Sequence, residues 1–196
     1  MTEHPYCRGM PSLDVLTLRT EALDGWSMPA SAVLAAIAVV TVGLDLRAIP
    51  VLYLAVVTPP LVFTDVTERR LPNPLVLPGY PVAIAALLAS GLRDGELPVA
   101  ALLAGASYFA VFLVMAVAGG MGMGDVKLAG LLGLSAGLVG PGPAVATAAA
   151  AFLLGGVTAI ASARRGSGAG IPFGPHLLAG YWLALLLFAS PGASST

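Results

Sequence analysis

Gly122-Met123-Gly124-Asp125-Val126-Lys127-Leu128 puts an acid and a base beside two glycines, between apolar runs at 97–118 and 126–140. A charge set among membrane-spanning runs is expensive, so it needs a partner or a purpose. Whether those runs cross a bilayer decides the fold, and composition answers. Of the 196 residues, 58% are hydrophobic and 10% charged, with a mean hydropathy of +0.93. A soluble domain carries about 25% charged residues. The chain reads as an all-α membrane protein, a polytopic bundle of six to seven transmembrane helices.

Spanning a bilayer takes about 20 apolar residues. Seven runs are candidates, at 28–44, 48–64, 74–90, 97–118, 126–140, 143–162 and 174–190. Several are short, so their helices must extend into the interface. Pro59-Pro60 predicts a kink in the second, because proline removes a donor and crowds the preceding turn. Residues 1–27 are mixed and polar, without the short apolar core of a cleaved signal peptide. They read as a cytoplasmic tail with a short amphipathic turn from Leu13 to Leu23. Residues 28–192 form the membrane domain, and 193–196 a C-terminal tail.

The composition also excludes function classes. A net charge of −1, with no basic arm, gives no nucleic-acid partner. Cys7 is the lone cysteine, and His4 and His176 lie far apart in sequence, so neither a disulfide nor a metal motif is written here. No metal and no cofactor is expected. The partners are the lipid bilayer and whatever the acids act on.

The basic residues set an orientation. With a cytoplasmic N-terminus, Arg8, Arg19, Arg69, Arg70, Lys127, Arg164 and Arg165 fall on the cytoplasmic side, against Arg47 and Arg93 opposite. That is a clear positive-inside bias. The same parity puts Asp125 and a second acid, Asp65, on the cytoplasmic side of a multi-pass protein of the cell membrane. Gly133-x-x-x-Gly137 is a small-residue pattern that permits close helix approach. It predicts a compact bundle and says nothing of function.

Two facing aspartates suffice for one chemistry. At close range both cannot easily ionise, so the pair shares a proton. The ionised partner deprotonates a water, and the protonated one hydrogen-bonds a substrate carbonyl. Peptide hydrolysis by this route needs neither a metal nor a covalent intermediate. Gly122 and Gly124 are expected to supply positive φ and a close backbone approach. Asp125 then falls at or just before a helix start, where the dipole favours an anion. Lys127 either lowers the cost of that anion or snorkels to the interface. After Asp65, Asn73 is expected to cap the next helix, with Pro74 at its first position.

Three pieces of the chain resemble the type IV prepilin peptidase family, the GxGD-type membrane aspartic peptidases that include preflagellin peptidases. Asp65, with five residues before Leu71-Pro72-Asn73, is similar to the family's first motif. Residues 122–128 match its second. Ile171-Pro172-Phe173-Gly174-Pro175 is similar to a Pro-Phe-Gly-Pro segment near the C-terminal helix. The resemblance implies Asp65 and Asp125 as the catalytic pair, supported by Gly122, Gly124, Lys127, Pro72, Asn73, Gly174 and Pro175. It implies a prepilin or pseudopilin precursor as substrate, cut on the cytoplasmic side ahead of its apolar segment. It also implies a short form, because the cysteine-rich insertion of larger members has no counterpart here. That puts N-methylation of the product in doubt.

Rival readings remain at this stage. For either acid the plain alternative is a helix cap at the interface, with Lys127 as the salt partner of Asp125. Asp45, ahead of Ile49-Pro50, echoes Asp65, but its spacing is two residues shorter and parity puts it on the other face. Glu68 reads as a solvated partner of Arg69 or Arg70. His176 starts a helix near the candidate site without joining the pair. As whole-protein alternatives stand another GxGD-type intramembrane protease, a proton- or cation-coupled transporter, and an inactive pilus-assembly factor. The first lacks its Pro-Ala-Leu motif here, and the second predicts acids mid-helix.

Overall fold

The computed structural model describes residues 26–119, 121–164 and 173–188. Most of the expected N-terminal tail, Cys7, Arg165, Ile171-Pro172 and the tail 193–196 lie outside the described residues. Eight helices follow one another within them, and no strand. They are α1 (Ser27–Val42), α2 (Ala48–Glu68), α3 (Asn73–Val76), α4 (Gly79–Asp94), α5 (Val99–Val117), α6 (Met123–Val139), α7 (Pro141–Arg164) and α8 (Gly174–Leu187). Single-turn α3 runs into α4, so the eight make seven rods that correspond to the seven apolar runs. Four of these are long and apolar enough to cross a membrane.

The bundle is layered around α6. That helix is apolar nearly all round, the mark of a helix with no outer face, and Val126, Leu128, Leu132 and Ala136 are fully buried. Helix α5 runs along it, α7 pairs with α8, and α1 with α2. The outer helices show large apolar side chains outward instead: Val114 and Leu153 are each 69% exposed, which water would penalise and lipid does not.

Small residues set the closest approaches, as the sequence predicts. A Cβ on Gly133 would lie 2.6 Å from the carbonyl oxygen of Ala104, and one on Gly137 2.5 Å from the Cα of Ala101. In α7 and α8 the pairing is similar, with Gly180 against the backbone of Ala151.

Helix α2 continues through Pro59 and Pro60 as one element. Proline at 60 leaves the carbonyl of Val56, four residues back, without its helical donor. The hydroxyl of Ser31 in α1 donates to it at 3.3 Å, the kind of repair by a neighbouring helix that a membrane helix needs. Downstream, Thr58 donates to Leu54 O and accepts from the indole N–H of Trp182 at 3.1 Å, tying α2 to α8. Helix α6 is tied to α8 by a 2.7 Å hydrogen bond between Ser135 and Tyr181.

One end of the bundle is held by charge. Arg93 bonds both oxygens of Asp45 and one of Asp94, and Arg47 bonds Asp94 at 2.7 Å. This joins the α1–α2 turn to the end of α4. Asp45 precedes α2, and Asp65 stands in its last turn. The 21 residues of α2 separate them by about 30 Å at 1.5 Å per residue.

Candidate active site

Asp65 belongs to the final turn of α2, where it is 5% exposed. Its carbonyl accepts the N–H of Arg69 at 3.0 Å, and Arg69 itself takes the left-handed conformation (φ 53°, ψ 37°). That reversal, uncommon outside glycine, turns the chain back, and Leu71 packs against the core. The side chain of Asp65 accepts the backbone N–H of Gly174, at the start of α8, at 3.1 Å. A Cβ on Gly174 would stand 2.6 Å from the same oxygen. Only glycine leaves room for the carboxylate there.

Asp125 lies in the first turn of α6, ahead of the apolar run. Its N–H donates to Gly122 O at 3.1 Å. Burial pushes its carboxyl up, and the negative charge of Asp65 pushes it further, to about 6 against an ordinary 3.8. The two acids therefore feel each other, which the helix-cap reading of either alone does not require. Oδ1 of Asp125 is buried without a hydrogen-bond partner among the described residues, a costly condition for a structural carboxylate.

The segments around the acids are tied together. Lys127 Nζ donates to Asn73 Oδ1 at 3.0 Å, so it neither pairs with Asp125 nor simply snorkels. The Tyr80 hydroxyl donates to Lys127 O at 2.7 Å, and that of Tyr53 to Leu75 O at 2.7 Å. A Cβ on Gly124 would sit 2.9 Å from the Cβ of Leu71. His176, half-buried at the head of α8, lies against Phe173 with ring centroids 6.0 Å apart and is close enough to act on the charge of Asp65.

Two local expectations need correcting. Asn73 is not a helix cap. Pro72 holds the N-cap position of α3 with φ −69°, and no side chain caps it. The amide of Asn73 is instead engaged across the loop by Lys127. Gly122 and Gly124 do not supply positive φ either. Gly122 is extended at φ −80°, Gly124 is helical, and the left-handed glycine just upstream is Gly119 (φ 83°). Gly124 is needed for space, to admit Leu71. Pro175, in the first turn of α8, occupies a place where a missing N–H costs nothing.

Three further points concern chemistry. Asp45, the rival acid, is bonded to Arg93 at the far end, and that guanidinium holds its carboxyl below the usual range. Residues 133–137 spell Gly-x-Ser-x-Gly, the letters of a hydrolase nucleophile elbow. Yet Ser135 sits inside α6, wholly buried and paired with Tyr181, whereas an elbow requires an exposed serine on a strand-to-helix turn. Among the described residues no group of three His, Cys, Asp or Glu side chains could hold a metal. Reading the sequence missed Leu71 as a contact, and missed Tyr80 and Tyr53. A buried tyrosine hydroxyl demands a partner, but the sequence does not show which.

Comparison with curated proteins and with solved structures gives no match. A family model described as the type IV leader peptidase family matches residues 51–160. That stretch starts in the helix of Asp65, runs past Asp125 and takes in more than half of the chain. On that match, laid over two acids that act on each other from α2 and α6, the chain belongs to the type IV leader peptidase family.

Proposed function

We propose that this family member is an aspartic endopeptidase. It removes the leader of prepilin-like precursors on the cytoplasmic side of the cell membrane, with Asp65 and Asp125 as the pair that activates water. One observation carries the reading. Acids sixty residues apart in the chain come close enough at one end of the bundle for the charge of Asp65 to push up the carboxyl of Asp125.

The chemistry follows from the environment. Asp125, pushed up to about 6, is the acid that carries the proton in the reactive form of the pair, where it donates a hydrogen bond to the scissile carbonyl. Asp65, oriented by the Gly174 N–H, takes a proton from water as the oxygen attacks the carbonyl carbon. The tetrahedral intermediate collapses with the C–N bond breaking. The proton held on Asp65 passes to the leaving amine, leaving one proton on the pair as at the start. The cytoplasmic placement rests on the basic residues near the acids, Arg69, Arg70 and Lys127. A proton-coupled transporter fits less well, because both acids stand in terminal turns of their helices.

Co-expression with a precursor that has a basic leader ending in glycine tests this directly. We expect leader removal, seen as a mobility shift and by sequencing of the new N-terminus. It should be lost in Asp65→Ala and in Asp125→Ala while both variants accumulate in the membrane. Cleavage that survives both substitutions sinks the mechanism. Proton flux lost in the same variants, without any cleavage, points to the transporter.

A further inference from the structure

Leu71 stands six residues beyond Asp65 on the loop that leaves α2. Its Cβ is 2.9 Å from where a side chain on Gly124 would begin, one residue before Asp125. On its other side, its Cδ2 is 3.4 Å from the corresponding point on Gly174, the residue whose N–H grips Asp65. One side chain thus touches the glycine neighbour of each acid. Two residues on, the 3.0 Å bond from Lys127 Nζ to Asn73 Oδ1 closes the loop onto the first turns of α6. The Tyr80 hydroxyl fixes the same turn through Lys127 O.

We propose that Leu71 is a positioning residue for the two acids. Its side chain is a wedge that sets the gap between the α6 start presenting Asp125 and the α8 start gripping Asp65, and the Asn73–Lys127 hydrogen bond locks it in place. This rests on the reading of Asp65 and Asp125 as the reacting pair. Shape explains the residue type. A γ-branched side chain reaches in two directions from one Cβ and meets both glycines. Alanine keeps only the Cβ beside Gly124 and loses the reach to Gly174, and a β-branched residue would push its bulk into the Gly124 side. The two glycines are the complementary half of the device, since a Cβ on either would displace the wedge or the carboxylate. Geometry of this kind matters to rate, because misplacing a reacting group by about 1 Å costs on the order of a hundredfold.

The test uses the full chain in lipid nanodiscs and a precursor with a basic leader ending in glycine. Leu71→Ala is expected to lower kcat about tenfold or more with KM held within about twofold, and Leu71→Met, which conserves volume, to recover most of it. Infrared titration of the Asp125 carboxyl gives a readout that needs no substrate. With the wedge gone water enters the space it filled beside Asp125 and relieves its burial, so the titration should fall below its wild-type midpoint. Asn73→Leu and Lys127→Met should each lower kcat, and the double variant should be no slower than the slower single. Asn73 is exposed, so this pair decides the question even where Leu71→Ala fails to fold. A Leu71→Ala enzyme with wild-type kcat and wild-type titration overturns the proposal. So do independent, multiplying losses in the Asn73 and Lys127 variants. Asp65→Asn and Asp125→Asn run alongside. If those two still cleave, the acid pair itself is wrong. If they are dead while Leu71→Ala is normal, only the wedge falls.

Discussion

At the scale of single residues, Asp125 is the one whose environment makes the sharpest demand. Its folded carboxyl titrates near 6, chiefly because of burial and then because of Asp65; unfolded, it titrates near 3.9. The folded state therefore binds the proton more tightly. Below about pH 4 both states are protonated and no penalty exists. The penalty grows as pH rises through the window from about 4 to about 6 and is constant above it. Asp125→Asn, which cannot ionise, should thus melt higher than wild type in detergent at pH 8, by at most about 3 kcal/mol, with the advantage shrinking at pH 4. Scanning calorimetry at the two pH values checks it, and an advantage that is larger at pH 4 contradicts it. Gly174 makes the companion case. Gly174→Ala puts a methyl 2.6 Å from Asp65 Oδ2, so cleavage should drop steeply while α8, which alanine favours, remains folded. Far-ultraviolet circular dichroism beside a cleavage assay separates the two.

At the scale of elements, the contrast between Gly137 and Gly156 shows what the small residues do. A Cβ at Gly137 meets α5 backbone at 2.5 Å, whereas one at Gly156 meets nothing within 4 Å. Gly137→Ala should force α5 from α6 and destabilise by about 1–3 kcal/mol. Gly156→Ala should be neutral or stabilise by up to about 1 kcal/mol through helix propensity alone. Thermal unfolding of both variants gives the answer, and equal effects would show that packing at α5–α6 is not backbone-limited. Elements were also what the sequence displayed best. Each of the seven apolar runs is a rod, and four of them are long and apolar enough to cross a membrane. The site was legible in part. Asp65 and Asp125 announced themselves as charges where charge is costly, and the positive-inside count put them on one side. What was not legible depended on contacts remote in sequence. Asn73 looks like a cap until Lys127, 54 residues on, takes its side-chain oxygen. Leu71 looks like any apolar residue until Gly124 and Gly174 close on it. Arg69, with its positive φ, gives no hint in its side chain of the turn it makes.

At the scale of the whole molecule, the two ends of the bundle have separate tasks. The Asp45–Arg93–Asp94–Arg47 cluster clamps the end away from Asp65, about 30 Å off along α2. Asp45→Asn should leave leader cleavage unchanged at neutral pH, measured in the same co-expression assay. A loss there would revive the rival acid. The two acid-bearing helices are joined through α8, whose consecutive residues Tyr181 and Trp182 bond Ser135 of α6 and Thr58 of α2. This has a consequence in time. A ribosome makes Asp65 first, Asp125 sixty residues later, and Gly174 a further 49 residues on. At 5–20 residues per second the interval before Gly174 exists is roughly 2–10 s. Throughout it, the nascent chain carries both acids but not the helix that grips one and bridges their supports. Neither the Gly174 N–H that grips Asp65 nor the Tyr181 and Trp182 links exist before then, so under the proposed reading the site is complete only once the last rod is made.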